Sequence, residues 1–343
     1  MKNMQNEIRE PSDLLDENGK LIQKGWARKL ILNYNRENIK AGWHRIKEWD
    51  YYAILHPDFG ISLVIADVGY LGLTTVTWLD FVEKRFTSED QLKLFTRGKL
   101  DLPRTSESGD INFSSKKINI NFEKRGINRI LSVDYPGFMM GKGIKGEITL
   151  FQDPNMDTMV IATPFKENET RFYYNQKINC MPAKGTIQLG ENSYEFTEDK
   201  CFGVLDWGRG VWTYKNRWYW GSASGLLEGV PIGWNIGYGF GDTSAASENL
   251  IFYNGKGHKF DQVTFHIDPN DYLKPWKFTS NDGRFEMDFE PILDRTNKMN
   301  LLILKTEPHQ VFGYYTGDLV LDDSTKLHID KFIGFAEEVF NKW

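Results

Sequence analysis

An acid, a cation and a high density of tryptophan occur together in the stretch CFGVLDWGRGVWTYKNRWYWGSASG, residues 201–225. Asp206 and Arg209 flank the dipeptide Trp207-Gly208. Burial in an apolar cavity raises the pKa of an unpaired aspartate, which can then donate a proton at neutral pH, whereas a nearby arginine lowers that pKa. Asp206 is therefore a candidate catalytic acid, with Trp207 and Arg209 as candidate ligand contacts. The three-residue spacing equally suits a structural Asp206–Arg209 ion pair, and we regard it as the best argument for one.

Aromatic residues continue at even positions of the same stretch, at Trp212, Tyr214, Trp218 and Trp220. One face of a strand would present all four side chains. If the intervening YKNR is a turn, the first two would instead face the last two as cross-strand pairs. Either arrangement makes an aromatic surface that can hold a polyene, a sterol, a sugar face or a cation, and that can equally be core. We predict that these four residues contact a ligand.

A second mixed stretch is AGWHRIKEWDYYAIL, residues 41–55. Read as a strand, it places Glu48 and Asp50 on one face and Trp49 and Tyr51 on the other. Neither face is purely apolar. An edge strand with cross-strand ion pairs and a strand that lines a polar-tipped cavity are both consistent with this pattern. In the second case Glu48 and Asp50 are further candidate acids, and Trp49 and Tyr51 are candidate ligand contacts.

A third stretch, GWNIGYGFGDTSAASENLIFYNG at residues 233–255, alternates glycines with large residues and then becomes polar. It lacks the GxGxxG spacing and the βαβ context of a dinucleotide site, and strand glycines more often permit bends or close contacts. The polar residues form either a solvated loop or a polar cap over an apolar cavity. Under the second interpretation the candidate ligand contacts are Asn235, Asp242, Ser244, Glu248 and Asn249.

Several classes of site are not indicated. The six histidines show no HxH or HExxH spacing, and there is no GxSxG elbow or P-loop, so we expect neither a metal nor a cofactor. The net charge of −5 gives no basic footprint for nucleic acid. No apolar run is long enough to predict a membrane span, and residues 1–13 do not resemble a signal peptide.

The two cysteines, Cys180 and Cys201, have no CxxC partner and are predicted to be buried thiols of a reducing compartment. We therefore expect a cytoplasmic protein. The sequence leaves its oligomeric state open.

The elements that must position these residues are mostly strands. Aromatic residues make up 14% of the chain and glycine occurs 31 times, which favours pleated sheets with tight turns. Hairpin turns are predicted at Asn254-Gly255 and at residues 281–283, and two strands are predicted around a turn at 153–157. The best helix signal is TSEDQLKLFTRGKL, residues 87–100, with Ser88 as its cap.

Long segments of the chain resemble a bacterial family catalogued as a domain of unknown function, DUF2804. They are GWARKLILNYNRENI, RIKEWDYYAI, FGVLDWGRGVWTYKNRWYWGSASG, IGWNIGYGFGDTSAASEN and PWKFTSNDGRFEMDFEPILDR, and they span nearly the full length. The segment GTIQLGENSYEFTEDKCFGVLDWGRGVW is also similar to the carotenoid 1,2-hydratase and AttH-like group. Asp206, Trp207 and Gly208 keep the Asp, Trp and Gly of that group's Asp-His-x-Trp-Gly motif, but no histidine stands beside Asp206.

The second resemblance implies two lipocalin-like barrels that bind hydrophobic small molecules, with hydratases and pericyclases among the relatives. We therefore predict an all-β fold of two tandem lipocalin-like (calycin-type) antiparallel β-barrels with few short helices. The expected domains are 1–200 and 201–343.

Three functions are consistent with these residues. The first is an enzyme of the hydratase, isomerase or cyclase type, which protonates an unsaturated isoprenoid, sterol or lipid while tryptophan faces stabilise the cation. The second is a non-catalytic lipid carrier with the same cavity. The third is a carbohydrate-active β protein.

Overall fold

Strands dominate the structure, which is a computed structural model that describes residues 5–297, 299–301 and 304–342. The strands of the first part of the chain are β1 (Ser12–Asp13), β2 (Gly25–Ala27), β3 (Leu32–Asn33), β4 (Ile46–Leu55), β5 (Phe59–Asp67), β6 (Leu71–Asp80), β7 (Arg85–Leu94), β8 (Ile111–Ser114), β9 (Asn119–Arg125), β10 (Asn128–Tyr135), β11 (Ile144–Phe151), β12 (Met159–Phe165), β13 (Asn168–Leu189), β14 (Asn192–Phe196) and β15 (Phe202–Val211). Short helical segments lie at Arg36–Asn38, Trp43–Arg45 and α1 (Phe138–Gly141).

The second part of the chain consists entirely of strands and turns in its described residues. These strands are β16 (Lys215–Leu227), β17 (Val230–Tyr238), β18 (Leu250–Tyr253), β19 (Lys256–Lys259), β20 (Val263–His266), β21 (Trp276–Ser280), β22 (Phe285–Arg295), β23 (Met299–Leu301), β24 (Leu304–Val320) and β25 (Lys326–Lys342).

Two antiparallel sheets curl around separate apolar cores. The first sheet has the order β7-β6-β5-β4-β15-β13-β11-β10-β9-β8, with β12 and β14 paired to β13 and β2 paired to β12. The second has the order β19-β18-β17-β16-β25-β24-β22-β21-β20, with β23 paired to β24. The predicted all-β class with two tandem lipocalin-like units is confirmed.

Strands at the junction of the two sheets are buried on both faces. Every residue of β15 is buried, and all of β4 except the half-buried Trp49 is buried. One face of each strand packs into the first core, and the other packs against the second sheet. β4 is therefore a central strand between β15 and β5 rather than the edge strand that was one of the two interpretations. Two buried faces also explain why its sequence shows no clean alternation.

The sheets change later than the predicted boundary between residues 200 and 201. β15 pairs with β13 and β4 over its whole length and so belongs to the first sheet. The chain crosses to the second sheet at residues 212–214. β15 and β16 are therefore consecutive strands of different sheets, and the cross-strand pairing considered for the four aromatic residues does not form.

The predicted helix at residues 87–100 is wrong. β7 pairs with β6 over ten consecutive residues, from Leu71↔Leu94 to Asp80↔Arg85. Its capping-box pattern is outweighed by this long hairpin, because tertiary pairing routinely overrides intrinsic helix propensity. Gly98 lies beyond the strand in a turn with a φ of +86°.

The predicted turns are largely confirmed. Asn254 and Gly255 have φ values of 48° and 75° and connect β18 to β19, as a two-residue hairpin requires. The strands on either side of residues 153–157 are present, but they do not pair with each other. Both β11 and β12 pair with the 22-residue β13, whose register shifts between Ile178 and Met181.

Both cysteines, Cys180 and Cys201, are free and buried, as predicted. No helix in the described part of the chain has the length and apolarity needed to cross a bilayer.

Candidate functional site

Two rows of three residues face each other at the junction of the sheets. In the first sheet Asp206 is the register partner of both Lys177 and Tyr51. In the second sheet Glu337 is the register partner of both Trp220 and Gln310. The ammonium of Lys177 lies 3.8 Å from the ring centroid of Trp220, and the Tyr51 hydroxyl lies 3.1 Å from Gln310 Nε2. The two rows thus touch at both ends, and Asp206 and Glu337 are the central residues of the first and second row.

Asp206 is ion-paired at this junction. Lys177 Nζ lies 2.9 Å from Asp206 Oδ1, and Asn175 Nδ2 donates a hydrogen bond to the same oxygen. The three residues come from β13 and β15, where their side chains point away from the first core. Because the Lys177 ammonium also covers the face of Trp220, that face is already occupied by a cation.

Glu337, at the centre of the second row, is a carboxyl group that forms no ion pair among the described residues. Trp218 Nε1 donates to its Oε1 at 2.9 Å, and Gln310 Nε2 donates to its Oε2 at 3.1 Å. Within the described ranges no cation lies within 4.0 Å of it, and its exposed fraction is 8%. Burial raises the pKa of Glu337 to about 7, and the negative charge of Asp206 acts in the same direction. Glu337 therefore holds its proton at a higher pH than an ordinary glutamate does.

A second network fixes Gln310. Arg295 Nη1 donates to Gln310 Oε1 at 2.9 Å, which turns the amide nitrogen toward Glu337 and the Tyr51 hydroxyl. Arg295 thus sets the orientation of the donor that holds Glu337, without contacting Glu337 itself in the described hydrogen bonds.

Another buried acid, Glu248, lies on the other side of Trp220. Trp220 Nε1 donates to Asn235 Oδ1 at 2.7 Å, and Asn235 Nδ2 donates to Glu248 Oε2 at 3.4 Å. Burial raises the pKa of Glu248, and the nearby Lys177 opposes this. Gly237 makes room for the acid, because a Cβ there would lie 2.8 Å from Glu248 Oε1. This contact accounts for one of the alternating glycines.

A cluster of rings adjoins the acids, and we call it the aromatic cluster: Trp49, Tyr173, Trp212, Trp218 and Phe240. Ring centroids are 5.1 Å apart for Trp49 and Trp212, 6.0 Å for Trp212 and Trp218, and 4.7 Å for Tyr173 and Phe240. Trp49 lies across Gly208 of the neighbouring strand, where a Cβ would come within 1.9 Å of the indole. The glycine of the Trp-Gly dipeptide is thus required by the ring that packs on it.

The other candidate acids lie inside the first core. Arg209 Nη2 lies 3.0 Å from Asp50 Oδ1, and Glu48 accepts hydrogen bonds from the Tyr34 hydroxyl and from Arg36. Trp207 lies in the same core, with the Arg209 guanidinium 4.3 Å from its ring centroid.

The predicted Asp206–Arg209 pair is therefore wrong. Residues three apart on a strand point to opposite faces, so Asp206 faces the junction while Arg209 faces the first core. The same alternation directs Glu48 and Asp50 into the first core, and Trp49 and Tyr51 to the junction.

Not all predicted ligand contacts reach the junction. Trp49, Tyr51, Trp212, Trp218, Trp220, Asn235 and Glu248 do. Tyr214 is 40% exposed and lies near Lys342. Asn249 accepts a hydrogen bond from the Gly237 backbone and donates to the Asp261 carbonyl. Asp242 and Ser244 line a separate polar cavity of about 280 Å³ near the surface.

Glu337, Lys177 and Gln310 are functional candidates that the sequence patterns missed. A signal exists for Glu337, because Ile333, Phe335 and Val339 share its face of β25 and it is the one acid among them. Lys177 has no such signal, since it lies within a strand segment buried on both faces. No group of three or more His, Cys, Asp or Glu residues within the described ranges has the arrangement of a metal site.

Solved structures share this fold at low sequence identity. A candidate AttH protein from Nitrosomonas europaea superposes with a TM-score of 0.52 at 13% identity, covering 90% of this chain and 96% of that one. Kievitone hydratase from Nectria haematococca has a TM-score of 0.45 at 9% identity, covering 91% and 95% of the two chains. None of the curated protein sequences matches. The family described as Domain of unknown function (DUF2804) matches residues 5–343, so the chain belongs to that family, as the resemblance of its long motifs implied.

Proposed function

We propose that this protein is an enzyme that protonates a carbon–carbon double bond of a hydrophobic small molecule at the junction of its two sheets, with Glu337 as the acid. The observation that carries the proposal is the environment of Glu337: it is buried, it has a pKa of about 7, and it has no ion-pair partner in the described ranges. A general acid works best when its pKa is near the working pH. Asp206 is the less suitable acid, because Lys177 is paired with it.

The reaction balances with Glu337 alone as acid and base. Its carboxyl proton moves to one alkene carbon, which leaves a cation at the other. In a hydration, water oxygen adds to the cation, and a proton of that water returns to the Glu337 carboxylate. In an isomerisation, the carboxylate instead removes a proton from a neighbouring carbon, and in a cyclisation an internal double bond attacks the cation first.

Negative charge and ring faces stabilise the cation. Asp206 supplies a carboxylate across the junction from Glu337, where Lys177 is its ion-pair partner. The rings of Tyr51 and Trp218 lie beside the acid, whereas the face of Trp220 is covered by Lys177. Cation stabilisation therefore falls to Asp206, Tyr51 and Trp218 rather than to Trp220.

Access to the acid is supported by small residual exposures. Glu337 and Tyr51 each keep 8% of their surface exposed, the Asp206 side chain keeps 12%, and Trp49 and Trp218 are only half-buried. These side chains thus keep a small contact with solvent at the junction. A ligand that reaches them would meet both rings and carboxyl groups.

A non-catalytic lipid carrier is the second candidate. It is favoured by the ion-paired state of Asp206 and by the close contact among the rings of the aromatic cluster. The two candidates differ in one respect, which is whether bound material is converted.

An assay for conversion of bound material distinguishes the enzyme from the carrier. Purified protein is first examined by native mass spectrometry for retained apolar molecules. Any such extract, together with geranylgeraniol as a defined unsaturated isoprenoid, is then incubated with protein in D₂O and analysed by mass spectrometry. The proposed enzyme incorporates deuterium into product, and hydration also adds the mass of one water.

Two variants make the test specific. Glu337→Gln should lower deuterium incorporation by about 100-fold or more, because general acid catalysis contributes this much. Glu338→Gln changes the neighbouring acid, which points into the second unit and pairs with Arg217, and should leave incorporation within a few-fold of wild type. Retained apolar ligand without any conversion would favour the carrier. Equal conversion by wild type and Glu337→Gln would refute the role of Glu337.

A further inference from the structure

A cavity of about 630 Å³ lies at one end of the first sheet, and none of the junction acids Asp206, Glu248 and Glu337 lines it. The turn between β6 and β7, the turn between β13 and β14, and α1 surround it. Its volume is within the range of small-molecule sites. We infer that this cavity is a second binding site, which takes a flat, apolar ring compound without net charge. The inference does not depend on the function proposed for the junction.

A rigid aromatic wall forms one side of the cavity. The rings of Trp78 and Tyr194 lie 4.6 Å apart, and Phe59 stacks on Trp78 at 5.5 Å with an interplanar angle of 13°. Phe59 in turn contacts Phe196 at 5.2 Å. Each ring is thus held by another, so the wall is ordered before a ligand arrives. Trp78 is only 3% exposed, so the half-buried Tyr194 presents the larger ring surface to the cavity. A flat ring compound can pack on that ring without disturbing the wall.

Charges around the rim balance. The exposed Arg85 and the half-buried Asp80 lie 3.3 Å apart and form an ion pair, while Lys142 and Glu191 are exposed residues of opposite sign. The lining therefore carries two cations and two acids, with no buried charge to select an ionic group. An uncharged compound is the class that suits this lining.

A strap, residues 136–143 with the sequence PGFMMGKG, contributes Met139 and Lys142 to the lining. Phe138 is fully buried and anchors it, and Glu89 accepts a hydrogen bond from the Met139 backbone at 2.7 Å. Met139 and Met140 both have left-handed backbone, with φ values of 54° and 57°. Such strain in residues other than glycine persists at ligand clamps and active sites.

The strap also suits an adaptable contact. Met139 lines the cavity, and the methionine side chain adjusts its shape to apolar surfaces. Met140 is 97% exposed, so its own side chain does not account for the strained backbone. The strap thus brings Met139 into the same cavity lining as Tyr194, where a flat ligand would contact both.

Fluorescence titration with N-phenyl-1-naphthylamine, a neutral two-ring probe with a further phenyl ring, tests this site. Thr87 lines the cavity on β7, so Thr87→Trp fills the space. Lys93→Trp adds the same side chain to an exposed position of the same strand, outside the cavity lining. Glu337→Gln controls for binding at the junction. We expect saturable one-to-one binding to wild type, at least tenfold weaker binding to Thr87→Trp, and unchanged binding to the other two variants.

Other outcomes overturn the inference. These are the absence of probe binding to wild type, equal binding to wild type and Thr87→Trp, and weakened binding to Glu337→Gln, which would locate the probe at the junction. Far-ultraviolet circular dichroism checks that each variant is folded. If Thr87→Trp fails to fold, Asn192→Trp fills the cavity from β14 and is subject to the same criteria. Because Glu337→Gln and Thr87→Trp act on different sites, failure here leaves the proposed enzymatic function untouched.

Discussion

The raised pKa of Glu337 predicts an unusual dependence of stability on pH. Its ordinary value of 4.5 applies to the unfolded chain, and burial raises the pKa to about 7 in the folded protein. Between these values the unfolded chain has released the proton while the folded protein still holds it. Glu337 therefore lowers the free energy of unfolding as the pH rises from 4.5 to about 7, and its effect is constant above and absent below that range. At about 1.4 kcal/mol per pH unit, the full effect is about 3 kcal/mol.

Glu337→Gln removes this titration. The glutamine also exchanges one acceptor for a donor opposite Trp218 and Gln310, but that effect is the same at every pH. The difference between the two pH values therefore isolates the carboxyl group. Relative to wild type, the variant should gain roughly 2 to 3 kcal/mol in the free energy of unfolding between pH 5 and pH 8.

Urea unfolding followed by tryptophan fluorescence measures this difference at both pH values. Glu338→Gln is the matched control, because it removes an adjacent carboxylate that is paired with Arg217, and it should not show the same gain at the higher pH. A difference below about 0.5 kcal/mol between the two pH values for Glu337→Gln would mean that Glu337 ionises normally. The basis for its role as an acid would then be lost.

Three further substitutions test the structure around the site. Gly208→Ala places a methyl carbon 1.9 Å from the Trp49 indole and should cost about 1 to 3 kcal/mol in urea unfolding, with a changed near-ultraviolet circular dichroism spectrum as the aromatic cluster rearranges. Asp50→Ala leaves Arg209 buried without its carboxylate and should cost about 3 kcal/mol or more, while turnover per folded molecule stays unchanged; a selective loss of turnover would instead return Asp50 to the catalytic site. Gly283→Ala should cost about 1 kcal/mol through backbone strain alone, since φ is +70° and nothing lies within 4 Å of the new carbon; no measurable cost would show that this turn can change its conformation freely.

Local rules predicted much of the fold. The turns at Asn254-Gly255 and at residues 281–283 follow from residues that tolerate positive φ. This preference is a local property, so a few consecutive residues are enough to predict such a turn. The helix assigned to residues 87–100 failed because the pairing of β7 with β6 outweighs a cap at Ser88. Strand pairing is a long-range property, as β13 demonstrates by joining both β11 and β12.

The site was harder to predict than the fold. The sequence patterns identified the aromatic residues between the start of β15 and the end of β16, but they paired Asp206 with Arg209. In the structure Asp206 pairs with Lys177 and Arg209 pairs with Asp50, and both partners come from other strands. Period-two alternation already places Asp206 and Arg209 on opposite faces, so this error was avoidable. The placement of Asp206 across from Glu337 could not be predicted from the sequence, because it depends on how two separate sheets pack.

The composition of the junction itself supports a functional role for the acids. One part of it is apolar, where Leu79 and Val204 meet Phe312 and Phe335, and this packing alone can hold the sheets together. Beside it lie three acids, Asp206, Glu248 and Glu337, with Lys177 as the cation paired to one of them in the described structure. Replacing buried charges by well-packed apolar residues is often neutral or stabilising. If the junction only joined the sheets, apolar residues in place of these acids would therefore be expected to make it at least as stable. Carboxyl groups kept at this energetic cost, with the pKa values of Glu248 and Glu337 raised by burial, are what acid–base chemistry requires.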